Sequence, residues 1–308
     1  MTYKHHTFSG IGTTWDVSLP DSCADSQAEA LIQSIKARID VFDKAYSRFR
    51  ADSLITEISK KAGSYHLPAD AQPMMDLYKK MYDITQGKVT PLIGTVISDA
   101  GYDASYSLKP KDLIASAPHW ENVLEYTANT DGSVELTTKI PVLLDFGAAG
   151  KGYLVDIVAH ILKDAGLRDF IVNAGGDIAY ENETSGSNGT DSGNDANLKV
   201  GLENPDNTEQ AIGIVEIPSG KSICGSAINR RAWDRFHHII DPDTVSSPQH
   251  IIALWTVADS TLLADGMATA LFFKDGKDLQ KEFNFEYALV RADHSVEQSP
   301  GFPGSFFS

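Results

Sequence analysis

Cysteine is scarce in this chain: Cys23 and Cys224 are the only two in 308 residues, and they show no paired spacing for a disulfide framework or a zinc site. Positive charge is also short, with 26 lysines and arginines against 42 acidic residues and a formal net charge of −16. So acidic a chain has no general affinity for nucleic acid or anionic lipid. No apolar run approaches the roughly 20 residues that span a bilayer, which removes a membrane from the expected partners. The opening Met-Thr-Tyr-Lys-His-His-Thr-Phe lacks the apolar core of a secretion signal, so the chain reads as cytoplasmic. What is present is ordinary globular material, 42% hydrophobic and 22% charged. It suffices for one domain over 1–308, or for two intimately joined lobes. On so acidic a surface a phosphate site has to be locally positive or metal-assisted, which singles out Lys151, Arg230 and Arg231.

Apolar periodicity supplies the architecture. Phe8 to Leu19, alternating most clearly from Thr14, predicts a first strand. Leu31, Ile35, Ile39 and Phe42 predict a long amphipathic helix from Asp25 to about Tyr46. A second helix is expected from Ala71 to Thr85 and a third from near Tyr153. Beyond Gly166 strands are expected at Phe170–Asn173, Leu198–Glu203, Ile212–Ile217 and Ile251–Val257, with a last one at Tyr287–Val290. Short helices are expected at Ala264–Phe273 and around Lys277–Phe283. The Ser/Gly/Asn/Asp-rich tract 181–197 cannot bury apolar surface and reads as a flexible excursion. Without a strict βαβ rhythm, the class is α+β, with mixed, largely antiparallel sheets packed with helices.

Two stretches carry chemistry. Asp145-Phe-Gly-Ala-Ala-Gly-Lys-Gly-Tyr153 lies between a strand-like run, Pro141–Leu144, and a helix. Its small residues let backbone approach a ligand, and Lys151 offers a point charge for phosphate. It matches neither the dinucleotide-binding nor the P-loop spacing, and taken alone such a turn reads equally well as close packing. Ala264-Asp265-Gly-Met-Ala-Thr269 sets a carboxylate and a hydroxyl four residues apart on one helix face. Asp265 could be a helix cap, but Asp259 and Ser260 precede it and can fill that role, so Asp265 reads as a ligand for a hard cation such as Mg²⁺. Asn173-Ala-Gly-Gly-Asp177 is a further candidate turn, and His238, in His237-His238-Ile-Ile-Asp-Pro242, is a candidate proton acceptor or phosphate contact.

In register along most of its length the chain resembles the FAD:protein FMN transferases, the ApbE-type flavin transferases. The shared pattern runs through Ile11-Gly-Thr13, Ser47-Arg-Phe49 with Asp52-Ser53, Thr85-Gln-Gly87 with Pro91, Asp145-x-Gly-x-x-x-Lys151-Gly-Tyr with Asp156, Asn173-x-Gly-Gly-Asp177, Asn204-Pro205, His238-Ile-Ile-Asp-Pro242 and Ala264-Asp265-x-x-Ala-Thr269. The resemblance implies an ApbE-like fold and Mg²⁺-dependent transfer of FMN from FAD to a threonine or serine hydroxyl of an acceptor flavoprotein, releasing AMP. It implies metal contacts from the carbonyls of Ala148 and Ala268 and the side chains of Asp265 and Thr269. Lys151 would meet the FAD pyrophosphate, while Ile11, Phe49, Asp145, Asn173, Gly175, Gly176, Asp177, His238 and Ile240 would line the pocket. For the base, His238 is preferred to Asp265, because a metal-bound carboxylate is a poor proton acceptor. Two departures border the pocket. Thr90, after Val89, stands where relatives commonly carry aspartate, and Gly225-Ser226-Ala227 replaces Thr-Ser-Gly. The alternatives are an FAD pyrophosphatase, with water as acceptor, and a non-catalytic flavin-binding or flavin-delivery protein.

Overall fold

The structure, a computed structural model, describes residues 2–182 and 197–307. The expected excursion at 181–197 falls, but for its ends, outside the described residues. At the centre is an eight-stranded sheet of β1 (Tyr3–Gly10), β2 (Thr13–Pro20), β3 (Asp169–Ala174), β4 (Asp177–Asn182), β5 (Ser222–Ala227), β6 (Ile251–Ala258), β7 (Phe285–Arg291) and β8 (Val296–Gln298). Each strand pairs antiparallel with the one before it. The α+β class with largely antiparallel sheets is therefore what the chain adopts.

Alternation along β6 shows how the sheet is covered on both faces. Ala253, Trp255 and Val257 pack with Leu202, Val215 and Ile217 of a three-stranded sheet (Leu198–Asn204, Asn207–Ile217 and Gly304–Phe306). Leu254 and Ala258 point the other way, into the helical core. That core holds α1 (Asp25–Tyr46), α2 (Ala71–Ile84), α3 (Gly150–Asp164) and α4 (Thr261–Ala270). Helices α3 and α4 lie on the sheet, and α1 and α2 pack onto them. A small sheet of Gly63–Leu67, Val134–Thr138 and Leu124–Ala128 lies between α1 and α3 in the chain. No helix among the described residues is long and apolar enough to cross a membrane.

Several sequence expectations are corrected. The single strand at Phe8–Leu19 is a hairpin turning at Ile11-Gly12, both at positive φ (44° and 73°). Tyr287–Val290 is not the last strand, since β8 and Gly304–Phe306 follow. Pro141–Leu144 pairs with no strand. It runs as extended chain beside Gly94, whose Cβ, if present, would lie 2.3 Å from the Leu143 carbonyl oxygen. The helix expected at Lys277–Phe283 is only Gly276–Leu279.

Helix α3 starts at Gly150 rather than Tyr153, and α4 at Thr261 rather than Ala264. The α4 shift has a clear cause. Ser260 Oγ accepts from the Leu263 amide at 3.2 Å, and the Asp156 carboxylate of α3 accepts from the Thr261 and Leu262 amides at 2.8 Å each. Three N–H groups that a helix start leaves unpaired are thus satisfied. Gly152 lets the two helices meet: a Cβ there would lie 2.3 Å from the Thr261 carbonyl oxygen and 2.6 Å from Asp265 Cβ. Asp156→Ala should lower stability by about 1–2 kcal/mol, and Asp156→Asn by less because one acceptor oxygen survives. Urea unfolding midpoints of the three proteins would check the order.

Candidate active site

The site begins where α3 and α4 exchange groups. Asp265 Oδ2 accepts the Gly152 amide at 2.9 Å. That amide is the one an α-helix would give to the Ala148 carbonyl, so the Ala148 carbonyl is left without it. Ala148 is itself fixed by its amide, which donates to the Tyr78 hydroxyl at 3.1 Å. One turn after Asp265 the helix ends, and its last bonds pass over Ala268. The Leu271 amide goes to Met267 at 3.0 Å and the Phe272 amide to Thr269 at 3.2 Å. The Thr269 hydroxyl and the second Asp265 oxygen have no hydrogen-bond partner among the described residues. Two carbonyls, one carboxylate oxygen and one hydroxyl are therefore all open, on two helices in contact. Such a set suits a small hard cation that completes its shell with water or phosphate. Among the described residues no group of three or more His, Cys, Asp or Glu is disposed to hold a metal, so the candidate relies on neutral oxygens around one charge.

Burial raises the Asp265 pKa above the usual carboxylate range, while Lys151, the Gly152 amide and Arg231 pull against that rise. A carboxylate held this way is stabilised by any cation that reaches it. Lys151, in the first turn of α3, forms an ion pair with Asp177, which is 1% exposed. Arg48 does the same for Asp145 and also donates to the Tyr102 carbonyl at 2.7 Å. The second Asp145 oxygen accepts the Gly147 amide at 2.6 Å and so shapes the turn ahead of α3.

The two adjacent histidines have separate jobs. His237 is committed to structure, with Nε2 2.8 Å from the Pro248 carbonyl and Nδ1 accepting the Ile239 amide at 3.2 Å. His238 Nδ1 is buried without a partner, and Nε2 lies 3.5 Å from Ser226 Oγ, at the limit of a hydrogen bond. Burial, followed by Arg231, His237 and Lys151, pushes the His238 pKa down to about 3.

The rest of the candidate pocket is backbone turns and rings. The Asn173 side chain accepts the Gly176 amide at 2.9 Å, holding Gly175 and Gly176 at φ of 62° and 103°. The Gly175 amide reaches the Thr14 carbonyl at 3.1 Å, which ties this turn to the Ile11 hairpin. Phe49 stacks on Tyr106 at 5.3 Å and carries the Arg48 guanidinium 4.1 Å above its ring. The structure thus links Asp145, Ala148, Lys151, Asp177, His238, Asp265, Ala268 and Thr269 into one constellation, with Ile11, Phe49 and the Asn173–Asp177 turn around it. It does not bring the side chains of Val89 and Ile240 into it, as both are buried in apolar clusters. The Thr90 hydroxyl oxygen accepts the Leu92 amide at 3.2 Å. Arg48, Tyr78, Tyr102 and Tyr106 are additions to the residues singled out from sequence. Arg48 lay unweighted between Ser47 and Phe49, and Tyr78 looks like one more core residue of α2. Two surface hollows, of about 450 Å³ beside Leu108 and Arg235 and about 550 Å³ along the outer face of α3, are lined by none of Asp265, Lys151 and His238. The unpaired groups, not these two hollows, therefore mark the candidate site.

The fold is shared with solved flavin transferase structures. The ApbE protein from Thermotoga maritima superposes with a TM-score of 0.77 at 18% identity, covering 97% of each chain. Flavin transferase ApbE from Vibrio cholerae gives 0.74 at 19% identity, over 97% of this chain and 96% of that one. A sequence model of the ApbE family matches residues 11–288, and the chain belongs to that family. It is 25% identical over 274 residues to the FAD:protein FMN transferase of Klebsiella pneumoniae, covering 85% of this chain and 75% of that protein. The FAD:protein FMN transferase of Treponema pallidum is 24% identical over 309 residues, covering 94% and 85%.

The buried imidazole has a thermodynamic signature. Between about 3 and the ordinary 6.5 the unfolded chain binds a proton that folded His238 refuses. This residue's contribution to stability is therefore full above pH 6.5 and is lost as pH falls toward the folded value. His238→Asn cannot take up that proton, so its unfolding free energy should fall less steeply than wild type below pH 6.5, by about 1.4 kcal/mol per pH unit. Urea titrations at a series of pH values measure the two slopes.

Proposed function

We propose that this protein is an Mg²⁺-dependent FAD:protein FMN transferase, which moves FMN from FAD to a threonine or serine hydroxyl of an acceptor flavoprotein and releases AMP. One observation carries the reading: the oxygens of Ala148, Asp265, Ala268 and Thr269 left without a partner among the described residues at the α3–α4 junction, together with the buried, uncharged imidazole of His238. Membership of the ApbE family and similarity to FAD:protein FMN transferases support it.

Those four oxygens would hold Mg²⁺ and leave roughly two of its six positions for phosphate or water. Bound there, Mg²⁺ supplies charge neutralisation for the FAD diphosphate and for the AMP phosphate as it departs. The Lys151 ammonium has three donors and spends one on Asp177, so it can also meet a phosphate oxygen. The Gly175-Gly176 turn, without side chains, lets a nucleotide approach the backbone closely, and Phe49 with Tyr106 presents ring faces to a planar group.

Attack on phosphorus needs alignment and charge stabilisation more than covalent help from the protein. The acceptor hydroxyl oxygen forms a bond to the FMN phosphorus as the anhydride bond to AMP breaks, and the bond electrons leave on the AMP phosphate. The hydroxyl proton passes to His238. Its imidazole is uncharged at physiological pH, with one ring nitrogen open to accept, and an anionic diphosphate beside it raises its proton affinity from the depressed value. Asp265, committed to the cation, is left as a ligand.

Incubation with FAD, Mg²⁺ and a candidate acceptor flavoprotein should yield AMP and an acceptor heavier by one FMN. Asp265→Ala should cut AMP release at least about 100-fold and abolish its dependence on Mg²⁺ concentration. Wild-type turnover in that variant would remove Asp265 as a ligand. Free FMN with AMP and no bound flavin would point to hydrolysis. FAD binding without AMP under every metal condition would leave a flavin-binding or flavin-delivery protein.

A further inference from the structure

Three cations surround the constellation, and two are already spoken for. Arg48 is paired with Asp145 and Lys151 with Asp177. The third, Arg231, has no side-chain hydrogen bond, ion pair or ring contact among the described residues. Each of the other seven arginines has a carboxylate, a carbonyl or an aromatic ring. The contrast with its neighbour is sharp, since Arg230 reaches Glu203 through two nitrogens. Arg168 and Arg235 also lack a carboxylate, but one bonds carbonyls and the other lies over a ring, so the exposed Arg231 is the arginine with no side-chain contact among the described residues.

Arg231 ends a short 3₁₀ turn, Ile228–Arg231, and leads into a two-stranded ribbon in which Ala232 faces His237 and Trp233 faces Phe236. The His238 amide donates to the Arg231 carbonyl at 3.1 Å, which carries the same register one pair further. Residues directly opposite in such a ribbon project from the same face, with Cβ atoms about 5 Å apart. Arg231 therefore emerges beside the His238 imidazole. It shares that face with Trp233, which stacks on Tyr102 at 5.6 Å. Its charge is felt on three separate segments of the site, opposing protonation of His238 and favouring the ionised forms of Asp265 and Tyr102.

We infer that Arg231 is a substrate-binding catalytic residue: its guanidinium grips the diphosphate of the bound dinucleotide alongside His238 and stabilises the charge that gathers on the phosphates as the anhydride opens. This rests on the proposed transfer reading. An arginine suits the task because its planar fork presents paired N–H donors to phosphate and stays charged whatever is bound beside it. With no internal partner to give up, it meets the substrate without breaking an existing ion pair.

The test uses the 308-residue chain and separates phosphate from flavin. Fluorescence titrations with FAD and with riboflavin, in EDTA so that no metal contributes, compare wild type, Arg231→Gln, Arg231→Lys and Arg230→Gln. Arg231→Gln should weaken FAD about 10- to 100-fold, as expected for losing a charged hydrogen bond, and leave riboflavin unchanged. Inorganic pyrophosphate should displace FAD from wild type at lower concentration than from Arg231→Gln. Arg231→Lys should recover part of the FAD affinity, and Arg230→Gln should match wild type. Equal FAD affinity in Arg231→Gln and wild type, or equal loss of FAD and riboflavin, would overturn the assignment. If the FAD-specific loss is found but wild type releases no AMP with any metal, the arginine stands and the transfer reading falls. If AMP release is the same in both proteins, the arginine falls and the transfer reading stands.

Discussion

The structure depends on an exchange of carboxylates between two helices. Asp156 of α3 caps the first amides of α4, and Asp265 of α4 takes an amide from the first turn of α3. Each helix thus neutralises the positive N-terminal end of the other. The trade also creates the open oxygens. Once the Gly152 amide turns to Asp265, the Ala148 carbonyl has no helical partner. Once Asp156 starts α4 at Thr261, Asp265, Ala268 and Thr269 fall on one face of the same short helix. A glycine at 152 permits the contact, since any side chain would collide with α4.

Charge is arranged around this junction with little left over. The buried pairs Arg48–Asp145 and Lys151–Asp177 hold distant segments together, across 97 and 26 residues of chain. Such pairs cost desolvation and add little net stability, but breaking one strands a buried charge. They fix geometry more than they strengthen the fold. What they leave unpaired is a carboxylate on one side and a guanidinium on the other, an arrangement suited to a cation and an anion that arrive together.

Much of this was legible in the sequence, and the parts that were not share a cause. The span of α1 followed from Leu31, Ile35, Ile39 and Phe42, because an amphipathic period is a local property. The small-residue turn at Asp145–Gly152 and the carboxylate-to-hydroxyl spacing at Asp265 were visible for the same reason. Pro141–Leu144 misled because extended chain and paired strand have one apolar signature, and only the packing of Gly94 against Leu143 tells them apart. The cap of α4, Ser260, is legible in the sequence, whereas the acceptor for its first two amides, Asp156, lies 105 residues away and is not. Arg48, Tyr78 and the shielding of Lys151 by Asp177 are tertiary facts that no window of sequence contains. Ile11 at φ 44° breaks a local rule for β-branched residues, in a hairpin that touches the Gly175 turn.

The strand order of the central sheet has a consequence for how the protein comes into being. Its eight strands pair in the order they are made, yet β2 and β3 are separated by the whole stretch that supplies α1, α2 and α3. Synthesis proceeds from the N-terminus at about 5–20 residues per second, and α4 appears only after residue 261 has been added. A nascent chain therefore displays the Ile11 hairpin and the Asn173–Asp177 turn well before it possesses Asp265. The α3–α4 junction is completed late, so a ribosome-bound fragment that stops short of residue 261 carries the glycine turns without the helix that meets them.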